Sequence, residues 1–458
     1  MKPTSSKKLW KIGQKEYNTQ YFDFNKDGDL IIKEGHNIYN VRYLAEKMGT
    51  PLQILMPFVV EERLEDFLDL NKDLSKKIGY QGKFFYHYPM KVNQNKEVIM
   101  ALVGEGAHLE TSSYNDLYLI KKMLEQEKFN PNIRIMCNGP KTDKYLNLID
   151  ELQHKGTKIF PLIEGPNELK VLQHSRYDVG VRLAMNDVKV NSRWKKPIDR
   201  FGFPANEILA MDKFKNLKIL HYHIGGQIET LNDIIAPIKY ALDVYCKLKE
   251  KNPSLDTLDI GGGMPIPFLR TKTYPIDKLM EKIFALLKTE SEKRGIPHPN
   301  LICEWGSYMV YPSQITIYKV IDTKKIVGKK PEANKWYVVD GSFMNDLCDT
   351  WAIGQKWAMA PANNKGDKNL NEVWLAGSTC DSDDTYKGVN GSVTLPDYDY
   401  DEQNPMYVVV FDTGGYQASL SMHHCLLSAP LKVIAENGHI VVARKRETPE
   451  DVGKEFGW

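Results

Sequence analysis

Cysteine is scarce in this chain, and its spacing excludes several classes of protein. Only 6 of the 458 residues are cysteines, and no pair of them shows the two-residue separation of a zinc or redox motif. This pattern argues against a disulfide framework and against a zinc site, and it suits the reducing conditions of the cytoplasm.

Long apolar runs and a charge excess are also absent. The longest apolar stretches, such as residues 54–60, are far shorter than the roughly 20 residues that span a bilayer. Lys and Arg total 61 against 59 for Asp and Glu, a net charge of +2, so no overall field attracts nucleic acid or anionic lipid. No apolar segment follows the basic N-terminus, so no secretory signal is predicted. We therefore expect a cytoplasmic protein that binds a small molecule and neither membrane nor nucleic acid.

What the chain does contain is the composition of a globular protein with two or three domains. Apolar residues make up 42% and charged residues 26%, which is the ordinary balance for a packed core with a solvated surface. Disorder over most of the chain is excluded, because the hydrophobicity is normal and the net charge is near zero.

The middle of the chain alternates short apolar runs with amphipathic helical patterns. Several of the apolar runs are apolar on both faces, as strands of a buried parallel sheet are. Eight strands separated by helices favour an α/β fold with a (β/α)8 TIM barrel, although a doubly wound open sheet gives a similar alternation. The candidate strands are residues 84–92, 108–111, 134–138, 158–163, 178–183, 217–224, 257–260 and 301–304.

The pattern changes after about residue 325. Short β-rich runs are divided there by Gly, Pro, Asn and Asp turns, which predicts a mostly antiparallel β-domain. The first fifty residues contain a hairpin pattern that can join this domain. We therefore predict an N-terminal segment (1–50) that contributes to the β-domain, a barrel (51–325) and a C-terminal β-domain (326–458).

One N-terminal segment matches the twelve-residue calcium loop, from Asp23 through Asn25, Asp27 and Gly28 to Glu34. An EF-hand also needs a helix on each side of this loop. Here the second half of the loop continues as an apolar strand pattern. A hairpin turn is therefore the favoured interpretation, and no metal site is predicted.

Lys91 comes at the end of the first candidate barrel strand, after apolar and aromatic residues. Most lysines are exposed surface groups, and that is the ordinary alternative. A lysine at the mouth of a barrel is partly desolvated, which lowers its pKa and lets the neutral amine form a Schiff base.

Other candidate residues follow later barrel strands. His223 shares its side of the strand with His221, and the pair is either a core feature or, less favourably, a metal pair without a carboxylate at ligand spacing. Gly261–Gly263 follow the next strand, where backbone N–H groups can bind an anion or simply form a turn. Glu304 ends the last strand and is either a site residue or part of a structural ion pair.

The segment from Cys380 through Asp381 and Asp383 to Asp384 places three carboxylates and a thiol within five residues. Clustered acids raise one another's pKa unless a cation is present. The segment is therefore either a solvated loop or a binding site for a cationic ligand.

In chain order, these segments resemble the alanine-racemase-fold pyridoxal-phosphate decarboxylases and, among them, the biosynthetic arginine decarboxylases. The resemblance extends from about residue 17 to residue 422. The matching segments are YPMKVNQ at 88–94, ETSS at 110–113, CNG at 137–139, His223 before a glycine, GGG at 261–263, CDSD at 380–383 and GGY at 414–416.

The resemblance implies pyridoxal 5'-phosphate as cofactor and a role for each matched residue. Lys91 would carry the cofactor as a Schiff base. Cys380, from a second subunit, would return a proton to Cα, so a homodimer is expected. Asp381 and Asp384 would bind the distal cation of the substrate. The other cofactor-binding residues would be Glu110, His223, Gly261, Gly262, Gly263, Glu304 and Tyr416.

The resemblance further implies decarboxylation of L-arginine to agmatine and CO₂, a step of polyamine biosynthesis. The alternatives are decarboxylation of lysine, ornithine, diaminopimelate or carboxynorspermidine, an amino-acid racemase, and a non-catalytic regulator that binds pyridoxal phosphate or a polyamine. Ser307 and Gly226 stand where relatives have an arginine and a serine. Both departures remove donors from the cofactor pocket, and the loss of the arginine is the feature that favours the regulator.

Overall fold

The computed structural model describes residues 6–126, 132–192, 199–268, 275–328, 332–363 and 369–458, which divide into two compact units. The barrel unit comprises the described residues of 61–266 and 273–309, and the sheet unit comprises those of 1–60, 267–272 and 310–458. In these described ranges, no helix combines the length and the apolar character needed to cross a membrane.

The N-terminal part of the sheet unit forms the predicted hairpin. Strands β1 (Phe22–Phe24), β2 (Leu30–Glu34) and β3 (Asn37–Asn40) make a three-stranded antiparallel sheet, and β4 (Leu52–Leu55) follows. The calcium-like segment therefore has strands where an EF-hand has helices. The Asp23 carboxylate lies 3.4 Å from the Lys33 ammonium. The hairpin interpretation is confirmed, and the absence of calcium stays a prediction.

Eight parallel strands close into a barrel. Each pairs with the next along the chain, and the last pairs with the first. The predicted (β/α)8 barrel is therefore confirmed, and the open-sheet alternative is wrong. The strands are β5 (Phe84–Pro89), β6 (His108–Thr111), β7 (Arg134–Cys137), β8 (Lys158–Ile163), β9 (Val179–Arg182), β10 (Leu217–His221), β11 (Thr257–Asp259) and β12 (Asn300–Cys303).

Helices connect the barrel strands, and side-chain caps fix where several of them begin. Ser113, for example, accepts a hydrogen bond from the Asp116 N–H at the start of α5, which satisfies one of the free donors of the first turn. The helices in the described residues are α1 (Ser6–Leu9), α2 (Val41–Met48), α3 (Pro57–Ile78), α4 (Lys96–Gly104), α5 (Tyr114–Glu125), α6 (Asp143–His154), α7 (Pro166–Leu172), α8 (Ala205–Ala210), α9 (Leu231–Lys251), α10 (Ile276–Lys293), α11 (Gly306–Val310), α12 (Asp349–Ile353) and α13 (Pro449–Glu455).

Two barrel strands end three residues earlier than the sequence predicts, whereas the ends of the other six agree with the prediction to within one residue. β5 ends at Pro89, and residues Met90–Val92 form a single 3₁₀ turn. Proline has no N–H to continue a ladder, so Lys91 lies on this turn rather than in the strand. β10 ends at His221 instead of residue 224, and the chain then turns at Gly225 with φ +112°.

The barrel interior is a packed apolar core. It comprises Met136, Phe160, Leu162, Ile219 and Ile302, with Phe85 packed against them. The residues come from strands all around the barrel, so their side chains fill its centre, as layered packing in this fold requires.

We expect Ile219→Ala to destabilise the protein by about 2–5 kcal/mol, because it leaves a cavity among fully buried neighbours. Ile219 has no exposed surface, whereas Val171 on α7 is 60% exposed. Urea denaturation followed by tryptophan fluorescence measures the change in the midpoint. Val171→Ala is the control and should leave the midpoint almost unchanged, and equal midpoints for the two variants would contradict the assignment of Ile219 to the core.

The second half of the sheet unit is mostly antiparallel, as predicted. Twelve-residue β13 pairs with β4, β14 and β19 in antiparallel fashion, and the parallel pairs are β14 with β16 and β20 with β4. The strands are β13 (Gln314–Lys325), β14 (Lys335–Val339), β15 (Met359–Pro361), β16 (Leu370–Ala376), β17 (Thr385–Tyr386), β18 (Val393–Pro396), β19 (Tyr407–Val410), β20 (Leu431–Glu436) and β21 (His439–Arg444).

One apolar core joins the N-terminal hairpin to this sheet. Phe22 and Ile32 from the hairpin belong to the same buried cluster as Val409, Phe411 and Val433. The rings of Phe22 and Phe411 meet edge to face at 5.0 Å. The predicted boundaries after residues 50 and 325 differ from the ends of the units, because β4 and β13 pair with each other inside the sheet.

Candidate active site

Polar side chains gather where the barrel strands end. Glu110 lies in β6, His221 and Asp259 are the last residues of β10 and β11, and Glu304 directly follows β12. All four are buried. Because the carboxyl ends of parallel strands meet at one mouth of a barrel, this is the face where catalytic residues of such folds lie.

Glu304 has two polar neighbours at this mouth, of which Asn138 is hydrogen-bonded to it. Asn138 Nδ2 donates a hydrogen bond to Glu304 Oε1 at 3.1 Å, and His221 Nε2 lies 3.6 Å from Glu304 Oε2. Burial raises the pKa of Glu304, and the positive charge of Lys91 opposes that rise. A cationic group bound beside this carboxylate would compensate its buried charge.

The positive charge of Lys91 opposes the rise in the pKa of Glu110 as well as that of Glu304. Burial raises the pKa of Glu110, whereas the Lys91 charge lowers it. The turn that carries Lys91 is packed closely by α11, because a Cβ at Gly306 would lie 2.6 Å from Pro89 Cγ and 2.7 Å from Val92 Cγ2. The absence of a side chain at Gly306 thus lets this turn lie against the helix.

Two histidines lie at the end of β10, His221 as its last residue and His223 two residues beyond it. Burial lowers the pKa of His221 and of His223 well below the ordinary value. His223 Nδ1 accepts a hydrogen bond from the Gly262 N–H at 3.0 Å, so the proton of the neutral ring is on Nε2. His223 thus offers an uncharged aromatic ring at the mouth of the barrel.

The sequence argument against a metal pair assumes that no carboxylate lies at ligand spacing from the histidines, and this assumption is wrong. His221, Asp259 and Glu304 bring three ligand atoms within 4.8 Å of one another. The fold unites them because each ends a neighbouring strand. The absence of a metal at this site stays a prediction.

The Gly261–Gly263 segment leaves no room for side chains. Gly261 has φ +62°, and a Cβ there would lie 2.4 Å from Tyr222 O, while one at Gly262 would lie 2.9 Å from His223 Cε1. The Gly261 N–H donates to Asp259 Oδ1 at 2.9 Å, and the Gly262 N–H donates to His223. Since these two donors already have partners, the phosphate-binding role of the segment stays a prediction.

Several buried polar atoms at the mouth have no hydrogen-bond partner. They are Glu110 Oε2, Asn138 Oδ1, Asp259 Oδ2 and both ring nitrogens of His221. Buried polar groups are ordinarily paired, so the mouth has hydrogen-bonding capacity left for a polar ligand. The lysine amine suits a ligand with an aldehyde, and a buried carboxylate suits a ligand with a protonated ring nitrogen. Pyridoxal phosphate has both groups.

Three residues at the mouth were not identified from the sequence. Asn138 follows β7, Asp259 ends β11, and Arg182 ends β9 with its Nη1 3.2 Å from Glu164 Oε2. Glu164 Oε1 in turn accepts the Gly139 N–H at 2.7 Å. The signal was present, because each is a polar residue at or directly after the end of a barrel strand.

The remaining candidates lie in the sheet unit. Cys380 Sγ is 3.4 Å from Cys425 Sγ, and Asp381 Oδ2 is 3.3 Å from His424 Nε2. Tyr416 has φ +62°, and its ring centroid is 6.2 Å from that of Tyr311. The roles of Cys380, Asp381 and Tyr416 stay predictions.

Asp384 is buried and holds the loop that carries Cys380. Its Oδ1 accepts the Phe343 N–H at 2.8 Å, and its Oδ2 accepts the Thr379 hydroxyl at 2.8 Å. A carboxylate with both oxygens bonded to the protein fixes the loop conformation. The predicted contact of Asp384 with substrate stays a prediction.

Residues 65–311 match a family model described as the pyridoxal binding domain of pyridoxal-dependent decarboxylases. The biosynthetic arginine decarboxylase of Phocaeicola vulgatus is 26% identical over 388 residues, which cover 75% of this chain and 60% of that protein. The Bacteroides thetaiotaomicron enzyme of the same name is 26% identical over 69% of this chain and 56% of its own length. The chain thus spans little more than half of these two relatives. The arginine decarboxylase of Avena sativa is 23% identical over 90% of this chain and 84% of its own length.

Solved structures share the fold. The biosynthetic arginine decarboxylase of Campylobacter jejuni superposes with a TM-score of 0.79 at 19% identity, covering 97% of this chain and 92% of that one. Diaminopimelate decarboxylase of M. jannaschii, in complex with L-lysine, superposes with a TM-score of 0.76 at 22% identity, covering 96% and 98%. At these identities the likeness supports the architecture, a barrel joined to a mostly antiparallel sheet.

Proposed function

The chain belongs to the pyridoxal-dependent decarboxylases, and from that premise we propose that it uses pyridoxal 5'-phosphate to decarboxylate L-arginine to agmatine and CO₂. The observation that carries the proposal is Lys91 on the turn after β5, with its charge acting on Glu110 and Glu304. The curated relatives named arginine decarboxylase support the choice of substrate.

Bound pyridoxal phosphate supplies a ring that accepts the electrons left behind when CO₂ departs. The Lys91 amine is the group that would hold the cofactor through its aldehyde. Glu304 would pair with the protonated ring nitrogen, and Asn138 Nδ2 donates a hydrogen bond that holds this carboxylate in place. Since the site is buried, this charge pair is stronger than it would be in water.

Other residues of the chain orient the ring. His223 would present its uncharged imidazole to the ring, and the hydrogen bond from the Gly262 N–H fixes the orientation of the imidazole. Gly261–Gly263 and Tyr416 would bind the phosphate group. Burial raises the pKa of Glu110 and the charge of Lys91 lowers it, so the ionised carboxylate and the ammonium would attract each other.

Cys380 returns the proton to Cα after CO₂ has left. Its hydrogen bond with Cys425 raises the pKa of the Cys380 thiol, so the thiol keeps its proton at neutral pH and can donate it. The proposal includes a cytoplasmic homodimer in which Cys380 serves the site of the partner subunit.

Asp381 binds the guanidinium of arginine. A planar guanidinium presents paired N–H donors that match a carboxylate, and the Asp381 side chain is one-third exposed. Substrates without a distal cation would lack this charge-assisted pairing, which discriminates against them.

The experiment that tests the proposed function is CO₂ release from a panel of amino acids by the cofactor-loaded protein. The panel contains L-arginine, L-lysine, L-ornithine, diaminopimelate and carboxynorspermidine. We expect the highest kcat/KM with L-arginine. A preference for another member would contradict the proposed substrate, and no turnover with any of them would favour a regulator that binds the cofactor.

We expect Asp381→Asn to raise KM for arginine about 10- to 100-fold, because a charge-assisted hydrogen bond contributes about 1.5–3 kcal/mol. The kcat should change much less. Steady-state kinetics of CO₂ release measure both constants. Asp383→Asn is the matched control, since Asp383 is an exposed carboxylate on the same loop, and equal effects of the two substitutions would argue against a specific contact of Asp381.

A further inference from the structure

Two exposed cysteines lie side by side in the sheet unit. Cys380 Sγ and Cys425 Sγ are 3.4 Å apart although 45 residues separate them in the chain. The other four cysteines are all buried. At this distance the two thiols are in direct contact, with room for no more than the hydrogen of one of them between the sulfurs.

The backbone around Cys425 is fixed in an unusual conformation. Cys425 and Leu426 both have left-handed backbones, with φ of +57° and +54°, which non-glycine residues adopt only when their surroundings impose it. The buried Asn345 side chain supplies such surroundings, because its Nδ2 donates to His424 O at 2.9 Å and its Oδ1 accepts the His424 N–H at 3.2 Å.

Further contacts tie this loop on both sides of Cys425. His423 Nδ1 contacts Leu427 O at 2.9 Å, and His423 Nε2 lies 3.6 Å from a carboxylate oxygen of Glu447. His424 Nε2 lies 3.3 Å from Asp381 Oδ2, next to Cys380 itself. The two cysteine-bearing loops are therefore held against each other at the position of the thiols.

We propose that Cys380 and Cys425 are a disulfide modification site, and that their reversible oxidation by a peroxide switches the enzyme off. The part of this inference that concerns activity rests on the proposed function, in which Cys380 donates the proton to Cα. A sulfur in a disulfide has no proton to donate, so the linked enzyme cannot complete the reaction.

The oxidation balances with hydrogen peroxide as the oxidant. One thiol gives up its proton as its sulfur attacks a peroxide oxygen, the O–O bond breaks, and the departing hydroxide takes that proton, so a sulfenic acid and one water are formed. The second thiol gives up its proton as its sulfur attacks the sulfenic sulfur, the S–S bond forms, and the departing hydroxide takes that proton and leaves as a second water. Two thiols are oxidised by two electrons in total, and one peroxide is reduced to two waters. A dithiol such as dithiothreitol reverses the bond by exchange.

The test uses the full-length, cofactor-loaded protein, first reduced and desalted and then treated with hydrogen peroxide. Peptide mapping without reductant, by mass spectrometry, detects the linked peptide that joins Cys380 to Cys425. We expect the loss of CO₂ release to follow the fraction of linked protein, and dithiothreitol to restore it. Absence of the linked peptide from oxidised, folded protein overturns the inference, as does full activity in the linked form.

Two variants separate this switch from general oxidation. Cys425→Ser should form no linked peptide, and, relative to its own activity before peroxide treatment, it should lose the part of the inactivation that dithiothreitol reverses. Cys246→Ser alters a buried cysteine of α9 and should behave as the unaltered protein does. A further outcome is that the reduced protein decarboxylates none of the substrates and yet forms the linked peptide on oxidation. That result would support the modification site and overturn the proposed function.

Discussion

Lys91→Ala should lower kcat/KM for decarboxylation on the order of a thousandfold or more, because it removes the amine that binds the cofactor aldehyde. The purified variant should also lose the visible absorbance of the lysine-bound cofactor. Both effects follow from the position of Lys91 on the turn after β5, where its charge acts on Glu110 and Glu304. The measurements are CO₂ release and an absorbance spectrum of the protein after dialysis against free cofactor.

Two further variants show whether the amine or only its charge is required. Lys91→Arg keeps a positive charge among the buried acids but cannot form the same bond, because guanidinium stays protonated. It should be as inactive as Lys91→Ala. Lys141 is another lysine of the barrel unit; its side chain has no exposed surface, and its Nζ donates to the carbonyls of Gly139 and Leu162. Lys141→Ala should lose stability and keep the visible absorbance; an active Lys91→Arg would contradict the role of the amine.

Glu304→Gln should lower kcat about 10²- to 10³-fold, as expected when a charged group that stabilises the transition state is removed from a buried site. The amide of glutamine is uncharged and would not stabilise a proton on the ring nitrogen. The ring would therefore lose this proton and become a weaker electron acceptor. Asn138 Nδ2 can still contact the amide oxygen, and for this reason the fold should survive. Single-turnover CO₂ release measures the chemical step directly.

Glu164→Gln is the matched control for Glu304. Both carboxylates are buried in the barrel unit, but Glu164 bonds Arg182 and the Gly139 N–H. We expect Glu164→Gln to lower the thermal midpoint and to leave the cofactor spectrum unchanged. Similar losses of kcat in both variants would indicate that buried charge in general, rather than contact with the ring, explains the effect of Glu304.

The barrel was predictable because its signal is local. Eight apolar runs with amphipathic helices between them are read along the chain without knowledge of distant partners. The ends of two strands were less predictable, since Pro89 and Gly225 stop them for reasons of backbone geometry. The sequence could not show that β4 belongs to the sheet unit, because an apolar run at residues 52–55 does not reveal that its partners are β13 and β20.

The candidate site divides in the same way. Lys91 and Glu304 could be chosen from the sequence because each comes at the end of a predicted strand, and Lys91 also lies in a matching family segment. Asn138, Arg182 and Asp259 come at strand ends too, but only the closed barrel shows that these strand ends meet at one mouth. The contact between Cys380 and Cys425 depends on two loops of the sheet unit and has no signature in the spacing of the cysteines.

The most direct test of the account is borohydride reduction of the cofactor-loaded protein, followed by peptide mapping. Reduction makes the bond between the cofactor and its lysine permanent. The account predicts a single labelled peptide that contains Lys91, with no label on Lys141. A label on another lysine, or no label on a protein that still releases CO₂ from arginine, would contradict it.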